Sequence, residues 1–503
     1  MARCAISKRG VLHLPGITHA TKSLTEKLLL SDAEKHHCYF RDAGLHNHLS
    51  HHVLAAYDMG ASPGVIQKIY DQHASYQRPM FVEEKYADIV VTRDNWTEHL
   101  GKQEAYGAYF KFFRQEVEKL GASDTLESYV FQPEANDKGK NMLDRFLAGA
   151  LHPFIQVGYA AEFGDDTLMA TGLAQTAIHR AGPAGLADVL PYSVAWGPDN
   201  ASPAPPATGP GRQPSTGISL LEVFRQVIDS PILTPPLPYN PELLVNARIK
   251  AALEGQKPAE ILRIAQQYTL AIPNDASEAE LESRVEELTW VATLLMFATG
   301  REGRETRLDF FLMHLVTSAL FLSPVFNVLK SARSKVALIR HYVPTMIVLM
   351  LARGRPLIRA NLVQDWTETP RPAGWDKVLG INKDKDSGVG DMKKDEDYNP
   401  WPSLIQGATH HPDMHLAKAM RTLILASQKY GATGPGEVIG AFRPGKAGRE
   451  ETFKGTSQLD GTLFVRAAGV LMDYMGWTVS GNAAKADWDR SNVGYDGAWA
   501  TKN

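Results

Sequence analysis

The sequence predicts a mainly α protein: a single large multi-helix domain over 1–503, with long surface loops and few short strands. Two observations predict it. Apolar residues recur at helical spacing through most of the 503 residues. Alternating apolar and polar runs are few and short, and no βαβ rhythm or internal repeat breaks the pattern.

The helices are expected in this order along the chain. Residues 45–59 read as a helix ended near Gly60 and Pro63. Residues 96–120 carry an aromatic face of Tyr106, Tyr109, Phe110, Phe112 and Phe113. Residues 141–163 form a third helix with a start or kink at His152-Pro153, because proline has no amide donor. Segments 167–179, 241–253, 258–270 and 277–299 come next, and Ser277-Glu278-Ala279-Glu280 is a capped, acidic start to the last. Segments 308–329, 335–352, 412–430 and 461–475 complete the set. Short strands are expected at 87–91 and 452–453. A Pro/Gly-rich stretch over 196–240 and a charged one over 383–400 read as surface insertions.

Composition narrows the function classes. A formal charge of -3 offers no electrostatic attraction for nucleic acid or an anionic membrane, so neither is an expected partner. Two cysteines, Cys4 and Cys38, make no disulfide framework and predict a reducing, cytoplasmic setting. The N-terminus is basic but lacks the apolar run of a secretory signal. Residues 310–327 are uncharged and long enough to span a bilayer. They contain His314, Thr317, Ser318 and Pro324, which predict a helix buried in protein instead.

Histidine carries the chemical signal. There are 17, and the densest run is His46-Asn47-His48-Leu49-Ser50-His51-His52. On a helix, His48 and His52 share a face, and His51 nearly joins them. His152 and His314 lie in apolar surroundings, where an imidazole needs a partner: a carbonyl or a metal. His410 to His415 is a second cluster, with His411 and His415 four apart. Any one of these is more simply a surface or carbonyl-bonded imidazole. Together they suggest a metal site assembled from distant helices. Imidazole-rich ligation suits iron, zinc, copper or nickel. HExxH, CxxC, CxxCH, GxxxxGK[ST] and a strand-borne GxGxxG are all absent, so familiar protease, zinc-finger, iron–sulfur, haem and nucleotide motifs give no support.

The blocks 48–62, Tyr76-Gln77-Arg78-Pro79, Gly149-Ala150-Leu151-His152-Pro153 with Gly158-Tyr159, and His314-Leu315-Val316-Thr317-Ser318-Ala319 carry a family resemblance. Ala352-Arg353-Gly354-Arg355-Pro356 and Asp413-Met414-His415 with Lys418 and Ala419 extend it. The sequence resembles the questin oxidase family of fungal oxygenases, which open anthraquinone-type rings in aromatic polyketide pathways. It is also similar to a branch that behaves as non-haem iron dioxygenases, holding iron by four histidines and an N-carboxylated lysine. The resemblance implies His48, His152, His314 and His415 as ligands, and Lys377, beside Trp375 and Val378, as the lysine. His51, His52 and His411 are rivals for individual places, and Gln156 stands where some members have another histidine. His179 and Glu162 are candidate supporting or acid–base groups.

The implied activity is a dioxygenase cleaving a ring carbon–carbon bond. Its expected cofactor is Fe(II), with NADPH as a candidate reductant of the substrate, and its expected partners are an aromatic polyketide and dioxygen. Three alternatives stand beside it. One is a metal-free, NADPH-dependent Baeyer–Villiger oxidase. Another is a carboxylated-lysine metallohydrolase, which would need His46-Asn47-His48 at a strand end in a barrel. The last is a helical scaffold without catalysis.

Overall fold

Helix caps and apolar stripes set most element bounds. Ser277 caps Glu278–Phe297 by accepting from the Glu280 amide. Asp413 caps Met414–Tyr430 through the His415 and Leu416 amides. The computed structural model describes residues 4–41, 44–181, 191–197, 204–375, 390–445, 448–485 and 487–500. The protein is mainly α, with two two-stranded ribbons among the described residues. These pair Tyr39–Arg41 with Leu45–His46, and Phe442–Arg443 with Glu450–Glu451.

Several sequence expectations change in detail. The first expected helix begins later, at Leu49–Asp58, because the Asn47 side chain accepts from the Leu49 amide and leaves His48 as the N-cap. His46 belongs to a ribbon, and there is no barrel around His46-Asn47-His48. The aromatic helix is Tyr106–Leu120, preceded by turns. The expected strand at 87–91 is not formed; Glu84–Asp88 is a 3₁₀ turn, and among the described residues no strand pairs with 89–91. Thr452 lies just past the second ribbon and extends it by one bond to the Ala441 carbonyl.

Within 196–240, Leu220–Asp229 is a helix whose Leu220, Leu221, Val223, Phe224 and Val227 are buried, so this part belongs to the core. Its Pro/Gly-rich flanks hide an ordinary amphipathic pattern. The expected helix at 308–329 is two helices, Phe310–Ala319 and Leu322–Val328, bent by 43°. Pro324 explains the break: continued helix would set its ring against the Leu320 carbonyl.

Helix Met142–Phe163 has the expected kink. Gly149, Ala150 and Leu151 all take positive φ, and the helix restarts at His152-Pro153. The helices Leu49–Asp58, Met142–Phe163, Phe310–Ala319 and Met414–Tyr430 pack directly on one another. They carry or cap the expected histidines, so packing brings residues far apart in the chain to one place. The helix Ala332–Ala352 is the one among the described residues long and apolar enough to cross a membrane, and its apolar window is wholly buried in protein.

A buried charge network ties this bundle to the N-terminal segment. The Arg421 guanidinium donates to Asp58 at 2.7 Å and also to Glu162. The amides of Leu12 and His13 donate to Asp58, and that of Val11 to Glu162. Glu162, expected as an acid–base candidate, is instead part of this tie. Burial, opposed by Arg421, pushes its carboxyl up to about 7. Arg421→Ala strands two buried carboxylates and is expected to cost about 3–5 kcal/mol in urea unfolding. A loss below about 1 kcal/mol, the level of an exposed pair, would refute this role.

Candidate metal centre

His48, His314 and His415 each offer a ring nitrogen, and the three atoms lie within 4.8 Å of one another. All three side chains are buried. His152 joins from the kinked helix, its Nε2 2.9 Å from His48 Nε2. Two ligands at right angles around a metal at about 2.1 Å stand about 3 Å apart, so this spacing suits shared coordination.

Local bonds orient the rings. His314 donates from Nδ1 to the Phe310 carbonyl at 2.8 Å, one helical turn back, which leaves Nε2 buried without a hydrogen-bond partner. His152 donates from Nδ1 to the Gly149 carbonyl at 2.5 Å, which turns its Nε2 toward His48. Both nitrogens of His415 lack hydrogen-bond partners among the described residues, with an Asp413 oxygen 3.7 Å from Nδ1. A buried imidazole without a partner is costly unless something else binds it.

The left-handed run before His152 is strained backbone at a functional position. Ala150 and Leu151 pay a steric cost that glycine avoids, at φ 55° and 68°. Gly149 is needed on a second count: a Cβ there would lie 2.5 Å from His179 Nε2. His46 stacks on His152 with centroids 3.7 Å apart and bonds His179 at 2.8 Å. His179 donates to the Gln175 carbonyl at 2.6 Å, and Tyr39 Oη lies 3.2 Å from its Nε2. His179 therefore supports the back of the centre, one ring removed from His152.

Burial, reinforced by neighbouring positive groups, holds His48, His152 and His314 well below the ordinary imidazole range and His415 below it. Neutral imidazole is the form that binds metal. Lys418 lies one turn after His415, is 2% exposed, and its Nζ has no hydrogen-bond partner among the described residues. Burial lowers its ammonium to about 7 against the pull of Asp413. After burial, Lys418 is the largest influence depressing His48, His51 and His415.

Residues 45–423, more than half of the chain, match the family model described as Questin oxidase-like. The chain belongs to the questin oxidase-like family. A questin oxidase from Aspergillus fumigatus is 25% identical over 94% of this chain and 92% of that protein. The Baeyer-Villiger oxidase ptaJ of Pestalotiopsis fici is 27% identical over 86% and 85%. The oxidoreductase AflY of Aspergillus parasiticus is 24% identical over 74% and 70%. Oxidoreductase is the class common to the names of the family and these relatives.

In this questin oxidase-like chain the rival histidines each have a ring nitrogen bonded to another partner, while His51 Nδ1 and His52 Nε2 have no hydrogen-bond partner among the described residues. His51 Nε2 meets Gln156 at 2.8 Å, so Gln156 partners His51 rather than extending the cluster. His52 bonds His73 at 3.0 Å, and His73 bonds Tyr76 at 2.5 Å. His411 meets the Met475 carbonyl through Nε2 and the Asp413 amide through Nδ1. Lys377 lies outside the described residues. Lys418 was visible in the sequence only within a matching block, although its spacing of three from His415 puts both on one helix face.

Neutral burial has a pH consequence. The unfolded chain takes up protons as pH falls through about 6.5, while the folded imidazoles resist down to about 4 for His73 and His179 and about 3 for His52. The contribution of these histidines is therefore full above about 6.5 and falls below it, by about 1.4 kcal/mol per pH unit for each, while the buried carboxyls of Glu162 and Glu287, pushed up by burial, contribute in the opposite direction. Urea unfolding of metal-free wild-type and His179→Asn proteins from pH 7 to 5 checks this: the variant is expected to lose less stability on acidification, and equal pH slopes would contradict it.

Proposed function

We propose that this chain is a non-haem iron dioxygenase that cleaves a carbon–carbon bond in the ring of an anthraquinone-type aromatic polyketide. The observation that carries the reading is the convergence of His48, His314 and His415 in one buried place, with His152 Nε2 2.9 Å from His48 Nε2. The donor set fits a transition metal. His314 Nε2, both nitrogens of His415 and Lys418 Nζ are buried without hydrogen-bond partners among the described residues. An all-nitrogen imidazole set suits iron, zinc, copper or nickel. The oxidase names of the relatives favour the redox-active choice, and the family resemblance favours iron.

The four histidines would hold the ion. Among the described residues, Lys418, one turn after His415 and buried, is the candidate for the modified lysine. As a free amine, its nitrogen can attack carbon dioxide at carbon, with one C–O π pair moving to oxygen and the nitrogen's proton passing to solvent. The N-carboxylate formed is an anionic oxygen ligand. Ferrous iron, when bound, supplies the redox chemistry that lets dioxygen react with an electron-rich ring. Phe310, with its ring 4.9 Å from His314 and 5.2 Å from His415, gives an apolar wall for a planar substrate and shields the imidazoles from water. NADPH would act outside the centre, as a reductant of the substrate.

A second reading is a metal-free Baeyer–Villiger oxidase using NADPH, favoured by the names of several relatives. The test separates the two. Metal-stripped protein is given reduced substrate and labelled dioxygen, with ferrous iron alone or NADPH alone. The iron reading expects turnover only with iron and both labelled atoms in the product. Turnover of metal-free protein with NADPH would overturn it. Lys418→Ala is expected to lower iron affinity by more than about 100-fold, beyond the range of outer supporting residues. Lys377→Ala should leave it near wild type, and the reverse pattern would restore Lys377.

A further inference from the structure

We infer that Trp488 is a positioning residue for the metal centre, acting through Asp413 on His415. The inference rests on the proposed metal reading and adds a segment beyond residue 423, where the family match ends. Asp413 Oδ1 accepts from the His415 amide at 2.8 Å and the Leu416 amide at 2.9 Å, which fixes the first turn of the His415 helix. The same oxygen lies 3.7 Å from His415 Nδ1. That is too long for a hydrogen bond but near enough to favour the proton on Nδ1 and the lone pair on Nε2. The carboxylate is held in turn by the Trp488 indole, whose Nε1 donates at 3.2 Å to each oxygen. The indole is 3% exposed, so solvent cannot readily replace that bond.

The chain around Trp488 reaches the other side of the centre as well. The Asp489 amide donates to the Leu308 carbonyl at 2.9 Å, and the Phe310 amide donates to the Asp489 carbonyl at 2.8 Å. The Arg490 guanidinium lies 4.2 Å over the Phe310 ring. Three consecutive residues therefore brace the starts of two histidine-bearing helices. The His314 helix uses a parallel device: Asp309 caps it through the Phe311 and Leu312 amides, and Arg353 holds Asp309 at 2.7 Å. In both cases a capping carboxylate sets a ligand-bearing turn, and a distant side chain sets the carboxylate. Outer supports of this kind orient metal ligands.

The test compares two tryptophans. Trp477 is also 3% exposed and donates from Nε1 to Asp473 at 2.7 Å, with neither residue bonded to the centre. Trp488→Phe and Trp477→Phe each delete one indole–carboxylate bond and keep an aromatic ring. Full-length proteins are titrated with cobalt(II) and ferrous iron against a competing chelator, with the cobalt visible spectrum recorded. The expected result is an affinity loss of about 10–100-fold and an altered cobalt spectrum for Trp488→Phe, with Trp477→Phe unchanged. If Trp488→Phe fails to fold, Asp413→Asn is titrated in its place and is expected to show the same loss. Wild-type affinity in the Trp488→Phe or substituting Asp413→Asn protein, or equal losses in both tryptophan variants, would overturn the inference. Wild-type protein that binds neither ion would overturn the metal reading itself, and this inference with it.

Discussion

Desolvation of imidazole is the constraint on which the rest of the centre depends. A charged histidine is expensive in a packed helical core, and several such charges in one place are worse. The helices that carry His152, His314 and His415, and the helix that His48 caps, pack closely enough to exclude water, and that packing keeps the rings neutral. The same exclusion lowers Lys418 toward its free amine. One physical cause thus acts on every candidate ligand. Its cost is a set of polar atoms in the core with no partner among the described residues.

The surrounding structure carries that cost. Through Asp58 and Glu162, both bound by Arg421, the two helices that bear these carboxylates are tied to the N-terminal segment. Asp309 with Arg353, and Asp413 with Trp488, fix the starts of two more. His46 and His179 back His152, whose strained left-handed approach would otherwise relax. Rigid surroundings are what allow a few side chains to be held against their own preferences.

Much of the fold was legible in the sequence. Where a cap and a periodic apolar stripe coincide, as at Ser277 and Asp413, expectation and structure differ by a residue or two. Helix His19–Lys35 was missed because Leu28, Leu29 and Leu30 are bunched rather than spaced. Leu220–Asp229 was hidden by its Pro/Gly-rich flanks. The strand expected at 87–91 had a suitable local alternation but no partner, and pairing is a long-range property. At the site, the four histidines followed from motif and apolar context. Their meeting, the diversion of His51 to Gln156, and the arrival of Trp488 depend on contacts between residues more than a hundred positions apart, or on a segment outside any matching block. Lys418 carried no local mark beyond its spacing from His415.

The spread of the centre along the chain also bears on biosynthesis. His48 is made several hundred residues before His415 and the Trp488 support. A nascent chain can fold its early helices but cannot display a complete coordination sphere. An ion held by all four histidines, as proposed, would therefore have to wait until residue 415 has been made and its helix packed.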